Sequence, residues 1–209
     1  MPATGEPTVT VLLRHGQTPM SVQKRYAGRS DVPLTQIGVQ QAAAAAKRLA
    51  SAGLDVIVTS PLQRAAATAA EVAAVTGVRV VTDEGFRETD FGAWEGLTFA
   101  EVRQRWPAEL TAWLADPDVP PPGGESLAGV STRVTAALRH VLADRQHQRV
   151  LVVSHVTPIK TLVAAALLAP PAALYRMHLD VAALCEIDWY ADGPAVLRSF
   201  NDTGHLDPA

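Results

Sequence analysis

The chain has 209 residues, 48% of them apolar and 19% charged, with a formal net charge of −3 at pH 7. That length suits one large domain or two small ones, and the apolar share is enough for a substantial core. The slight acidity gives no overall basic field to draw DNA, RNA or anionic lipid, and the single cysteine excludes a disulfide framework.

The chain opens on "MPATGEP", a small, Pro- and Gly-bearing stretch that reads as a tail or linker remnant over residues 1–7, with the domain proper over residues 8–209. It lacks a basic region followed by an apolar run, so no secretory signal is expected. "TVTVLLRH" then reads as a buried strand that stops at Arg14-His15-Gly16. A polar loop leads to Thr35, which caps an alanine-rich helix through about Ala50 with Ile37, Ala42, Ala45, Ala46 and Leu49 as its apolar stripe. "DVIVTS" (Asp55–Ser60) is a second strand, with Pro61 opening a helix through about Val75, and "VRVVTD" is a third strand. Two weaker helices follow, Phe99–Trp106 and Ala108–Leu114, split by Pro107. "DPDVPPPGGES" must be a loop, because four prolines and two adjacent glycines continue neither regular structure. Ser126 to about Leu142 is helical, "RVLVVSH" is a fourth strand, and a helix runs from Pro158 to about Leu168. "DVAALCEIDWY" and "AVLRSF" read as a closing hairpin, with Cys185 a core residue rather than a nucleophile. The longest apolar stretch, "TLVAAALLA", is too short to span a bilayer, and a cytoplasmic protein of a reducing compartment is expected. Strands alternating with helices imply a parallel sheet covered on both faces, made mixed, with antiparallel edges, by the hairpin. The fold class is therefore a single α/β domain.

Two of these strands end on a histidine, His15 and His155. In open α/β sheets, ligands bind outside the carboxyl ends of the strands, so the two imidazoles can meet over one site. Arg64 falls in the first turn after the second strand, and Glu88 follows the third. Each has an ordinary reading when taken singly: a polar loop residue, a solvated arginine, one exposed acid among many. Together they suit phosphoryl transfer. Arginine forks match phosphate oxygens, a neutral imidazole can attack phosphorus, and a carboxylic acid can protonate the leaving oxygen. No HExxH, clustered carboxylates or Cys/His ligand spacing points to a metal, and no cofactor is expected.

"LLRHGQT" resembles the RHG signature of the histidine phosphatase superfamily, the phosphoglycerate mutase-like proteins. The likeness continues through "GRSDVPLTQIGVQQA", "SPLQRAAATA", "RETDFGAWEG", "PPGGES" and "VVSH", in that family's order. Within it, the chain is most similar to alpha-ribazole phosphatase-like proteins and to the C-terminal acid phosphatase domain of bacterial bifunctional ribonuclease H/acid phosphatase proteins. The resemblance implies a three-layer α/β/α sandwich and a metal-independent phosphomonoesterase acting on small phosphate esters. It makes His15 the covalent nucleophile and Glu88 the proton donor, with Arg14, Arg64 and His155 around the phosphate. It also implies an N-terminal ribonuclease H domain in the full-length protein, while the net charge of −3 and the absence of a basic stripe with aromatics argue that this domain itself binds no nucleic acid.

Gly16 is expected to turn the backbone and bring its amide to phosphate oxygens. Two positions depart from the family pattern: Ser21 stands where asparagine is frequent, and Val156 where glycine often follows the second histidine. Serine can still donate a hydrogen bond and valine keeps its N–H, so both stay in the phosphate-binding set. Glu84, Glu95 and Glu125 are neighbouring alternatives to Glu88. A mutase, and an inactive phosphate-binding module, are the competing readings; the presence of Arg14, His15 and Arg64 speaks against the second. Specificity is assigned to the loops Ser21–Val32, Phe91–Trp113 and Asp116–Ser126. Trp94, Phe99, Trp106 and Trp113 are either core residues or pocket walls.

Overall fold

Runs of β-branched residues separated by alanine-rich helices fold as their pattern requires. The computed structural model describes residues 5–206, so residues 1–4 of the expected tail lie outside the described residues. One sheet of six strands forms the centre: β1 (Thr8–Arg14), β2 (Val56–Thr59), β3 (Val80–Thr82), β4 (Arg149–Ser154), β5 (Leu184–Trp189) and β6 (Ala195–Asp202). Their spatial order is β3-β2-β4-β1-β5-β6. The first four are mutually parallel, and β5 joins β1 antiparallel, with β6 antiparallel to β5. The sheet is mixed, as expected, but its antiparallel pairing is confined to one edge; β3 keeps the other edge parallel.

Side chains alternate across the strands and so divide the core into two layers. Val11, Leu13, Ile57, Leu151 and Val153 face α2 (Gln36–Leu49) and α3 (Gln63–Thr76). Leu12, Val58, Val152, Cys185 and Ile187 face α6 (Leu127–Ala143) and α7 (Val156–Ala166). The result is the three-layer sandwich. Cys185 is buried in it, and burial pushes its thiol up to about 11, which suits a core residue. Further elements lie outside the layers or at their rim: α1 (Pro19–Val22), α4 (Phe99–Arg105), α5 (Pro107–Ala115) and 3-10 turns at Glu84–Phe86, Gly92–Trp94 and Pro171–Arg176. A third cluster, Phe91, Trp94, Val102, Leu110, Trp113 and Leu127, binds this rim together.

Three local expectations need correction. Ile37 is 53% exposed, and Gly38 takes its place on the buried stripe with Ala42, Ala45, Ala46 and Leu49. The offsets explain it: residue 38 lies one turn before residue 42, whereas residue 37 lies five positions before it, off that face. A glycine suffices there because the backbones of Gln17 and Gly38 touch, and a Cβ on either Gly16 or Gly38 would collide with the other strand of chain. Pro61 does not open α3, which is capped at Leu62, and α7 begins at Val156, two residues before Pro158. Proline is tolerated in a first helical turn, where its missing N–H has no partner to lose.

Candidate active site

Arg14 and Ser154 are paired in the β1–β4 register, so the next residue on each strand, His15 and His155, must be neighbours. The His15 N–H donates to the Ser154 carbonyl at 3.1 Å, and the two imidazole centroids stand 5.1 Å apart. Both rings are buried. His15 Nδ1 lies 2.8 Å from the Gly16 carbonyl oxygen. A carbonyl only accepts, so Nδ1 carries the proton and Nε2 keeps a lone pair. Burial first, then the charges of Arg14 and Arg64, push the His15 pKa well below the ordinary imidazole value, which keeps the ring neutral. His155 Nε2 sits 2.7 Å from the Ser60 hydroxyl, while its Nδ1 has no partner among the described residues. If Ser60 donates to Nε2, Nδ1–H is left as a donor.

Two guanidinium groups flank the rings. Arg64, on the first turn of α3, is only 1% exposed and donates to the carbonyls of Ser30, Ala27 and Gly28 at 2.7–3.0 Å. Arg14 donates to the Leu179 carbonyl at 2.6 Å. Burial lowers the Arg14 pKa to about 10, so it remains a cation at neutral pH. The Nε atoms of both arginines are buried without a partner. Buried donors left unsatisfied are costly and rare, and three of them beside one neutral imidazole mark a place for an anion with several oxygens.

Glu88 reaches this site from the segment after β3. It is 8% exposed, and its carboxylate accepts from the Thr89 and Thr157 backbone N–H groups, the latter in the first turn of α7. The three alternatives are engaged elsewhere. Glu84 pairs with Arg87, Glu95 accepts from the Gly28 and Ser30 N–H groups, and Glu125 is held in a two-pronged pair by Arg133. Arg133 also donates to the carbonyls of Gly85 and Arg87, which fastens the segment carrying Glu88 to α6.

Arg14, His15, Ser21, Glu88 and Val156 line one cavity of about 280 Å³, while Arg64 and His155 are buried and do not belong to its lining, His155 standing against the His15 ring. Two members of the expected phosphate-binding set act differently. The Gly16 N–H donates to Thr68 Oγ1, so it serves the loop's placement rather than the cavity. The Ser21 hydroxyl donates to the Thr18 carbonyl and accepts from the Thr18 N–H, which caps α1 and leaves it only an acceptor to offer. Lys160 and Tyr175 line the cavity from outside the loops assigned to specificity, and Arg25 and Tyr26 line it from within the loop Ser21–Val32 without having been singled out. Lys160 was accessible to sequence reasoning, since it lies one turn beyond Val156 on the same helical face. Trp113 lines the cavity and Trp94 is fully buried behind it, whereas Phe99 is exposed. Among the described residues, no group of three or more His, Cys, Asp or Glu side chains is placed to hold a metal ion. No helix among them is long and apolar enough to cross a membrane.

The model of the histidine phosphatase superfamily (branch 1) matches residues 10–203. The bifunctional protein Rv2228c of Mycobacterium tuberculosis is 48% identical over 205 residues, covering 98% of this chain and 56% of that protein. The chain thus spans about half the length of that relative. Phosphoserine phosphatase 1 of Hydrogenobacter thermophilus is 33% identical over 197 residues, covering 94% of this chain and 93% of that protein. The solved structure of mycobacterial glucosyl-3-phosphoglycerate phosphatase with VO3 superposes with a TM-score of 0.85 at 32% identity, covering 94% of this chain and all of that one.

Proposed function

The chain belongs to branch 1 of the histidine phosphatase superfamily as a phosphoric monoester hydrolase, and from that premise we propose a metal-independent acid phosphatase that works through a phosphohistidine on His15. The observation that carries this reading is the neutral His15 ring, its Nδ1 proton bound to Gly16 and its Nε2 available, beside three unsatisfied buried donors. Nε2 attacks the phosphorus of a small phosphate ester as the bond to the ester oxygen breaks, and Glu88 gives that oxygen its proton. Arg14 and Arg64 through Nε, and His155 through Nδ1, bind the equatorial oxygens, so their fixed charge and dipoles do the work a metal ion does elsewhere. Water then attacks the phosphohistidine, its proton passes to the Glu88 carboxylate, and inorganic phosphate leaves.

The depressed His15 pKa supports activity in acid, because the nucleophile stays unprotonated below the ordinary imidazole value of roughly 6.5. We place the protein in the cytoplasm. The likeness to a bifunctional relative, about half of whose length this chain matches, supports residues 8–209 as one domain of a longer chain; a ribonuclease H domain as its other part rests on the sequence resemblance. A panel of phosphate esters incubated with purified protein and excess chelator tests the reading. Release of inorganic phosphate, inhibited by vanadate, is expected. Activity restored only by Mg²⁺ or Zn²⁺, or transfer from bisphosphoglycerate to a second substrate position without net phosphate release, would overturn it.

A further inference from the structure

Beyond the phosphate end, the cavity changes character. Four rings line it, Tyr26, Phe91, Trp113 and Tyr175, together with Leu127 and Leu174. They brace one another and the buried Trp94 behind them. Tyr26 stands 4.6 Å from Phe91 and 6.1 Å from Trp94; Trp94 meets Trp113 edge-on at 5.5 Å, and Trp113 meets Tyr175 edge-on at 5.8 Å. All four separations fall in the range of favourable aromatic pairs, so the rings support one another in place. The tyrosines do not supply charge, since burial pushes Tyr26 up to about 12 and raises Tyr175 as well.

The charge inventory of the same lining is one-sided. It holds three cations, Arg14, Arg25 and Lys160, and Glu88 is its only carboxyl among the described residues. Arg25 is already committed, with an ion pair to Glu101 at 2.8 Å and a bond to the Gly96 carbonyl at 2.7 Å. An ester whose alcohol part bears an ammonium would meet these cations and find no second carboxylate to neutralise it. A flat uncharged ring would instead replace water against the four side-chain rings and the two leucines.

Resting on the phosphatase reading above, we propose that the alcohol half of the preferred substrate is an uncharged aromatic group, held against the wall of Tyr26, Phe91, Trp113 and Tyr175. The substrate class is thus an aryl-alkyl phosphate monoester rather than one whose alcohol half bears an ammonium.

The test compares 2-phenylethyl phosphate with ethyl phosphate, whose alcohols leave with nearly the same difficulty, so that the ratio reads the ring and not the leaving group. O-phosphoserine and 3-phosphoglycerate complete the set. Higher kcat/KM for the phenylethyl ester, by about tenfold or more and mostly through KM, is expected. Tyr175→Ala and Trp113→Ala should shrink that ratio to within about threefold. Trp113 packs in the rim cluster and its loss can unfold it, but Tyr175 is 45% exposed and carries the test alone if so. Equilibrium binding of 2-phenylethylphosphonate against ethylphosphonate repeats the comparison without turnover. Equal kcat/KM with equal phosphonate affinities overturns the subsite while leaving the phosphatase standing. Preference for O-phosphoserine or 3-phosphoglycerate overturns it too, and assigns Lys160 to a carboxylate. Tighter phosphonate binding through the ring, with no ester hydrolysed, supports the subsite and defeats the phosphatase reading instead.

Discussion

At one end of the cavity, His15 and His155 sit one residue beyond two hydrogen-bonded strands, and Arg64 sits in the first turn after a third. At the other end, Tyr26 comes from a loop, Trp113 from a nine-residue helix and Tyr175 from a 3-10 turn. The first set is held by the sheet itself, whose register fixes each backbone to its neighbour. The second is held by side-chain packing and by loop contacts outside the sheet, such as the Tyr26 backbone bonds to Gly96 and Leu97. Chemistry that must be accurate to a fraction of an ångström belongs on the first, and selection among substrates, which tolerates exchange of parts, on the second.

If that division is right, substitutions at the strand ends should depress the reaction of every ester alike, and substitutions in the wall should act ester by ester. Arg64→Ala is the severest case among the charged groups. It removes a donor at the phosphate, for a loss of roughly 10²–10⁴-fold in kcat/KM. It also orphans the Ser30, Ala27 and Gly28 carbonyls, so a stability loss on the order of 3 kcal/mol should appear in urea unfolding. Arg14→Ala should match the kinetic loss with less destabilisation, since it frees only the Leu179 carbonyl. Equal destabilisation by the two would show that the 27–30 segment does not depend on Arg64.

Glu88→Gln sharpens the comparison from the chemical side. In single-turnover phosphorylation, alkyl phosphates should slow by roughly 10²–10⁴-fold, because an alkoxide leaves badly without a proton. For p-nitrophenyl phosphate, whose phenolate leaves unaided, the loss should be much smaller. The same factor for both would remove Glu88 from the role of acid, and Glu125 is no replacement, being held by Arg133.

The mildest effect concerns pH. His15 and His155 both have folded-state pKa values pushed well below the ordinary imidazole value, by burial first and then by the neighbouring ring and arginines. Below about 6.5 the unfolded chain takes up protons that these rings refuse, so stability falls with pH, by about 1.4 kcal/mol per pH unit for each ring. Burial lowers His205 in the same direction. Urea midpoints between pH 7 and 5 should record the slope, and His15→Asn should remove one ring's share. A flat profile would mean that the rings are protonated in the folded protein.

The same division explains what could be read from the chain alone. His15, His155, Arg64 and Glu88 follow strands at short offsets, and a strand end is visible as the place where an apolar run stops. Tyr26 and Tyr175 carry no such mark, because they meet only after α5 and the Pro171–Arg176 turn have folded over the sheet. Gly16 was legible as a glycine that matters but not for its reason, which is contact with Gly38, twenty-two residues away in sequence and on a different element. Ser21 lines the cavity, but its capping bonds with Thr18 carry no mark in the apolar pattern: they form a local cap that competes with any ligand for the hydroxyl.

The covalent step on His15 tests the account most directly. Enzyme mixed with ³²P-labelled ester and quenched within milliseconds into alkaline detergent should carry alkali-stable, acid-labile label, mapped by peptide mass spectrometry to His15, and His15→Ala should show neither label nor turnover. Steady turnover by the wild type with no trapped label at any quench time, or full turnover by His15→Ala, would contradict it.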